Sequence, residues 1–151
     1  MLGLLDKMEF TRLRGPAAAG VTDITDSNAL DCRNFEVFGF VVGFGALTNG
    51  GTFAVEIHGS TNDGTSYSLV KDQEGNDCRV AVADDQDNKI VVIEVVRPYG
   101  SVDKLKPVIK RSGQNGVVDF VLGYRGCGRT IPTSQPDTVA SATRFVSPSV
   151  P

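Results

Sequence analysis

The chain predicts an all-β protein, an antiparallel sandwich or barrel. Seven or eight short runs rich in Val, Ile and Phe are separated by turn signals about every 8–12 residues, as such folds require. No stretch carries a convincing amphipathic helical pattern, which argues against a parallel βαβ architecture. The run Asn88–Tyr99 is the most decisive: Ile90-Val91-Val92-Ile93-Glu94-Val95-Val96 is too β-branched for a comfortable helix, because two heavy atoms on Cβ restrict χ1 against the preceding turn. At 151 residues the chain fits one domain, large enough to bury roughly 68–70% of its unfolded surface without metal or disulfide staples.

Taken in order, residues 1–20 carry Leu2, Leu4, Leu5, Met8 and Phe10 and end in Gly15-Pro16-Ala17-Ala18-Ala19-Gly20. They read as an amino-terminal arm reaching a partner, as a frayed end, or as a strand capping the sheet edge. Val21–Thr25 is a candidate first strand, and Asp26-Ser27-Asn28 is turn chemistry, since short polar side chains bond their own backbone. From Asn34 onward Phe38, Phe40, Val42 and Phe44 fall on one face at period two, with Gly39 and Gly43 interrupting the other. Thr48-Asn49-Gly50-Gly51 then predicts a hairpin into Phe53, Val55 and Ile57, which alternate with Ala54, Glu56 and His58 as a half-exposed strand. Asn62–Ser66 is a tight turn, Tyr67–Val70 a short strand, Lys71–Asp77 an acidic loop and Cys78–Ala83 a further strand. Asn88–Tyr99, Lys104–Arg111 and Val117–Tyr124, joined by two short turn-rich links, have the form of an antiparallel meander. The β-domain so drawn covers 21–128. Residues 129–151 hold four of the seven prolines and read as an extended carboxy-terminal tail or arm dotted with Ile131, Val139, Phe145 and Val146.

Composition narrows the function. The net charge is −3 and the 15 Lys and Arg residues are scattered, so the footprint of a nucleic-acid binder is missing. No run approaches the ~20 apolar residues of a membrane span, and the amino terminus lacks a basic, long-apolar leader. Cys32, Cys78 and Cys127 are widely spaced and read as free thiols, the expectation being synthesis in a reducing, intracellular compartment. With a single histidine, His58, no zinc site is expected. Asp84, Asp85, Asp87 and Asn88 lack the EF-hand spacing and read as a solvated turn. Gly123-Tyr124-Arg125-Gly126-Cys127-Gly128 lacks Walker and dinucleotide spacing and opens no helix. Cys127 has Arg125 and Arg129 nearby but no visible base. Nothing pairs a nucleophile with a base, so neither an enzyme nor a cofactor is expected.

The order Phe53–Tyr67 with its Ser60-Thr61-Asn62-Asp63-Gly64 turn, then Asp87-Asn88-Lys89-Ile90, Val96-Arg97-Pro98-Tyr99, Lys106-Pro107-Val108-Ile109 and the closing strand to Leu122-Gly123-Tyr124, resembles small head proteins of tailed bacteriophages over roughly residues 52–132. The resemblance implies a jelly-roll-like sandwich that decorates or cements a capsid from outside. Its implied partners are the major capsid protein and itself, as a homodimer or homotrimer, in a virion assembled from protein made in the bacterial cytoplasm. This sequence departs from that pattern by an insertion at Gly100–Asp103 and by its long tail. Many weak contacts repeated on a lattice gain by effective concentration. The expected contacts are therefore the arms at 1–16 and 129–151 and the loop tips near Asn49, Asp63 and Asp103. A low-copy tail or neck component, or a carbohydrate-binding sandwich, are the alternatives, the latter disfavoured by the absence of Trp and a total of three Tyr.

Overall fold

A computed structural model describes residues 4–98, 100–128, 135, 136 and 139. After a single helical turn, α1 (Leu4–Lys7), the described chain is built from strands: β1 (Met8–Arg14), β2 (Ala17–Gly20), β3 (Leu30–Asp31), β4 (Val37–Leu47), β5 (Thr52–Ser60), β6 (Ser68–Leu69), β7 (Arg79–Val82), β8 (Ile90–Val96), β9 (Lys104–Ser112) and β10 (Gly116–Gly126). One sheet has the order β1-β10-β4-β8, with β2 continuing β1 along β10; the other has the order β3-β9-β5, with β6 and β7 following one another along the far side of β5. Every pairing is antiparallel. Apart from the β5–β6–β7 run and the broken β1–β2 strand, each successive strand lies in the opposite sheet, which is the doubly wound Greek-key order of a jelly roll.

That order corrects two expectations. The last three strands form no meander: β8 and β10 flank β4 in one sheet while β9 lies between β3 and β5 in the other. The Thr48–Gly51 turn likewise makes no hairpin. It carries the chain over the end of the sandwich from β4 to β5, held by Gly51 N–H to Thr48 O and Thr48 N–H to Asn115 O. Local turn chemistry fixes a reversal but not which strand receives the returning chain. Val21–Thr25 is also no strand; it supplies one isolated bridge, Ile24 to Ile109.

The core lies between the sheets and takes the inward-facing set of β4 (Phe38, Phe40, Val42, Phe44), of β5 (Phe53, Val55, Ile57), Leu105 and Ile109 of β9, and Val118 and Val121 of β10. The register of β10 slips beside Val118–Phe120. Such a bulge re-aims the side chains beyond it, and here Phe120, Leu122 and Tyr124 face outward while Val121 stays in the core. Residues 8–20 belong to the sheet: Leu13 and Ala17 are core residues, and Gly15-Pro16 breaks the edge strand where a proline can be tolerated. The boundary drawn at residue 20 therefore does not coincide with an edge of the fold.

Two arginines tie this edge down. Arg125 bonds Glu9 through Nε at 2.8 Å, donates to Asp31 O at 2.9 Å and stacks on Phe35 at 4.3 Å. Arg111, buried at the end of β9, donates to the carbonyls of Thr22, Ala18 and Gly116.

Four carboxylates sit below the usual carboxylate range, Asp72 through its hydrogen bonds from Asn76, and three others beside cationic partners. At Asp23 burial pulls upward, but the Lys110 ammonium and the Arg111 N–H outweigh it; at Asp26 the leading cause is Arg14, at Asp31 Arg33. A folded pKa below the unfolded value means the unfolded chain binds protons more readily. This stabilisation is present above the unfolded value of about 3.9 and is lost as pH falls through the folded values. Urea midpoints are therefore expected to hold between pH 7 and about 5 and to drop below about pH 4; a midpoint that rises on acidification would contradict these pairings.

Candidate interaction surface

The two sheets turn very different faces to solvent. The outer face of the β3-β9-β5 sheet is charged and internally bonded. Lys104 pairs with Asp63 at 2.9 Å, Lys106 donates to Thr25 O at 2.8 Å and lies 4.3 Å from the Tyr67 ring, and Lys110 pairs with Asp23. Glu56, expected to be exposed, is buried between His58 Nε2 at 3.0 Å and Arg79 Nη1 at 3.7 Å, because β7 covers that side of β5.

The outer face of the β1-β10-β4-β8 sheet is apolar. Register places Phe10, Tyr124, Gly39 and Glu94 in one cross-strand row, Arg12, Leu122, Val41 and Val92 in the next, and Phe120, Gly43 and Ile90 in a third. Ile90, Val92, Val96 and Phe120 are exposed. Gly39 and Gly43 are the seats of the two aromatic rings: a Cβ on Gly39 would meet Tyr124 Cζ at 1.8 Å, and one on Gly43 would meet Phe120 Cε1 at 2.4 Å. Tyr124 also packs at 6.1 Å from Phe10 and donates its hydroxyl to Glu94 at 2.9 Å. Its pKa is raised, by burial first and then by that carboxylate. The glycines that interrupt the strand pattern of β4 thus flatten the sheet under large side chains and widen the apolar surface.

Of the residues expected to make contacts, Met8 and Phe10 stand on this apolar face in β1, half-buried; Leu4 in α1 is exposed and Leu5 is half-buried. Leu2, Ile131, Phe145 and Val146 lie outside the described residues. Val139 is half-buried and donates its N–H to Pro136 O at 3.0 Å. Sequence reasoning missed Gln135. Its carboxamide oxygen accepts Phe10 N–H at 2.8 Å and its nitrogen donates to Met8 O at 2.6 Å, so it caps the open side of β1. No local pattern marks a glutamine for that role, since its partner lies 125 positions away.

The loop tips separate into opposite ends. Asn49 neighbours the Asp84–Asp87 loop, where Asp84 accepts Gly50 N–H and Asp87 accepts Leu47 N–H. Asp63 and Asp103 meet each other, Asp103 accepting Asp63 N–H at 2.6 Å. A cleft of about 360 Å³ opens near that second end, lined by Cys32, Arg33, Asn34, Phe35, Arg97, Asp103 and Cys127 among others. Burial pushes the Cys32 thiol up to about 12, so it is no nucleophile at neutral pH. All three cysteines are free. Among the described residues no group of three or more His, Cys, Asp or Glu could hold a metal ion, and no helix is long and apolar enough to cross a membrane.

No protein-family model and no curated protein matches the chain. Among solved structures, the infectious bursal disease virus VP2 subviral particle is similar at 14% identity and a TM-score of 0.35, over 80% of this chain and 30% of that one. The chain thus spans less than a third of the protein it matches. The assignment of the fold rests on the strand order: this is an all-β jelly-roll sandwich, with one charged face and one apolar face.

Proposed function

We propose that the protein is a structural component of a bacteriophage virion that decorates and stabilises the capsid by bridging neighbouring major capsid protein subunits. The observation that carries this reading is the asymmetry of the sandwich. A rigid jelly roll satisfies one outer face with its own ion pairs and leaves the other as a continuous apolar sheet ringed by few charges, which is how a surface made for protein contact looks. The same fold hosts sugar-binding modules and small-molecule enzymes. Exposed Phe120 and its half-buried neighbours Tyr124 and Phe10 give the apolar face its aromatic character. A decorating protein needs affinity and repetition, not chemistry, and its weak contacts are multiplied over a lattice.

The test is the copy number of the protein relative to the major coat protein in gradient-purified particles, by quantitative mass spectrometry. Stoichiometry comparable to the coat subunit is expected. A few copies per particle would move the protein to the neck or tail, and complete absence would overturn the virion reading.

A further inference from the structure

Among the described residues the sandwich has four sheet edges, and one of them is long, unbroken and uncapped. In the charged sheet the edges are β3, of two residues, and β6 and β7, of two and four. In the apolar sheet β1 is capped by the Gln135 carboxamide. The remaining edge is β8, seven residues long, which pairs with β4 and with no other described strand. Its ends fix which backbone groups are free. Phe44 N–H donates to Lys89 O and Arg97 N–H to Glu36 O, so the odd-numbered residues bond β4. By antiparallel alternation the N–H and C=O of Ile90, Val92, Glu94 and Val96 point away from the sheet. Long exposed edges are ordinarily blunted by lysine, proline or a bulge. Within Ile90–Val96 there is none of these: the pairing with β4 is continuous and the one charge is Glu94.

We infer that β8 is the homodimer interface, pairing antiparallel with β8 of a second copy across a two-fold axis at Ile93, so that two four-strand sheets join into one. In this register Ile90 stands opposite the second copy's Val96, and Val92 opposite its Glu94. The four edge-facing residues of each copy then exchange about eight hydrogen bonds, two at each of four pairs. The pattern is self-complementary, as a two-fold interface requires. Apolar meets apolar at its rim, and the two Glu94 carboxylates face valines instead of each other.

Charge supports a second copy as the occupant. The loop entering β8 carries Asp84, Asp85 and Asp87 against Lys89, whereas the strand leaves through Arg97, an exposed guanidinium held loosely to Glu36 at 3.3 Å. In this register Lys89 stands directly opposite the second copy's Arg97, and the three aspartates of the loop behind Lys89 give that end a net negative charge beside Arg97, whereas parallel pairing would stack like ends. The joined sheets would also merge the two apolar faces into one surface. The inference stands on the edge itself and does not depend on a capsid role.

Sedimentation equilibrium of the full chain is expected to give twice the 16.0 kDa chain mass. The double substitution Ile90→Lys with Val96→Lys sets lysines opposite each other and should yield a monomer. Ile90→Glu with Val96→Lys sets Glu opposite Lys and should restore the dimer. Both positions are more than half exposed in the single chain (59% and 57%), so folding, checked by circular dichroism, should survive. Independently of any substitution, hydrogen exchange of the wild-type chain should show the amides of residues 90, 92, 94 and 96 protected at high protein concentration and exposed at low. A wild-type monomer, a trimer, a dimer that persists with the paired lysines, or exchange at those amides that ignores concentration would each overturn the inference.

Discussion

Replacing Arg111 with methionine is expected to lower the unfolding free energy by about 4 kcal/mol, with loss of hydrogen-exchange protection first along residues 17–20. The guanidinium is buried and reaches three main-chain carbonyls, Thr22 through Nε at 2.8 Å and Ala18 and Gly116 through Nη1 at 2.9 and 2.7 Å. Each such charge-assisted bond contributes about 1.5–3 kcal/mol, and a methionine of similar length leaves the acceptors without a donor. Burial lowers the Arg111 pKa, with the nearby Arg14 charge adding to it; the group remains protonated in any case. Lysine should restore no more than about half of the loss, because a single ammonium cannot present the fork that meets carbonyls from β2, from the link after it and from the start of β10. Urea denaturation of the three chains is the measurement, and a methionine variant as stable as wild type would show that water replaces the fork without cost.

Gly39→Ala is expected to cost about 3 kcal/mol, although it adds a single methyl group to an unstrained strand position. The methyl would lie 1.8 Å from Cζ of Tyr124 and 2.1 Å from Cε1, so the whole ring must leave its seat and break the bond to Glu94. Overpacking of this kind typically costs about 1–3 kcal/mol, and losing the Tyr124–Glu94 bond puts this case at the upper end. In a Tyr124→Ala background the same substitution should be nearly neutral, giving a coupling energy of about 3 kcal/mol in a double-mutant cycle. Additive effects in that cycle would show that the glycine is needed for some other reason.

These two positions also mark what was legible in the sequence. The core strands were visible because they are local signals: Phe38, Phe40, Val42 and Phe44 repeat at period two, and every one of them is buried. The Val and Ile run of β8 was equally plain. Which strand lies beside which was not, because pairing in this fold joins residues about a hundred positions apart, as in Met8 with Gly126 or Leu30 with Leu105. A turn such as Thr48–Gly51 looks the same whether it closes a hairpin or carries the chain between sheets. Gly39 and Gly43 looked like interruptions because their partners, Tyr124 and Phe120, sit on a strand far along the chain. Arg111 looked like an ordinary polar strand end, since its three acceptors are backbone atoms that leave no trace in side-chain pattern. Gln135, the cap of β1, is a single glutamine between prolines and serines.

The position of β10 between β1 and β4 bears on how the chain reaches this state at all. The strand that joins the amino-terminal edge to the body of the apolar sheet is the last of the described strands to be synthesised, and β9 likewise joins β3 to β5. Until residues 104–126 have emerged from the ribosome, β1 and β3 have no neighbours to pair with and β4 has β8 alone, so the phenylalanines of β4 wait incompletely covered. Closure of such long loops must precede the contacts that reward it, so folding on the order of milliseconds to seconds is expected for so non-local a topology. During that interval the nascent chain offers β-rich, low-charge segments to its neighbours, the condition under which aggregation competes with folding. Slow translation or chaperone shielding late in the chain would then govern yield more than the stability of the finished sandwich.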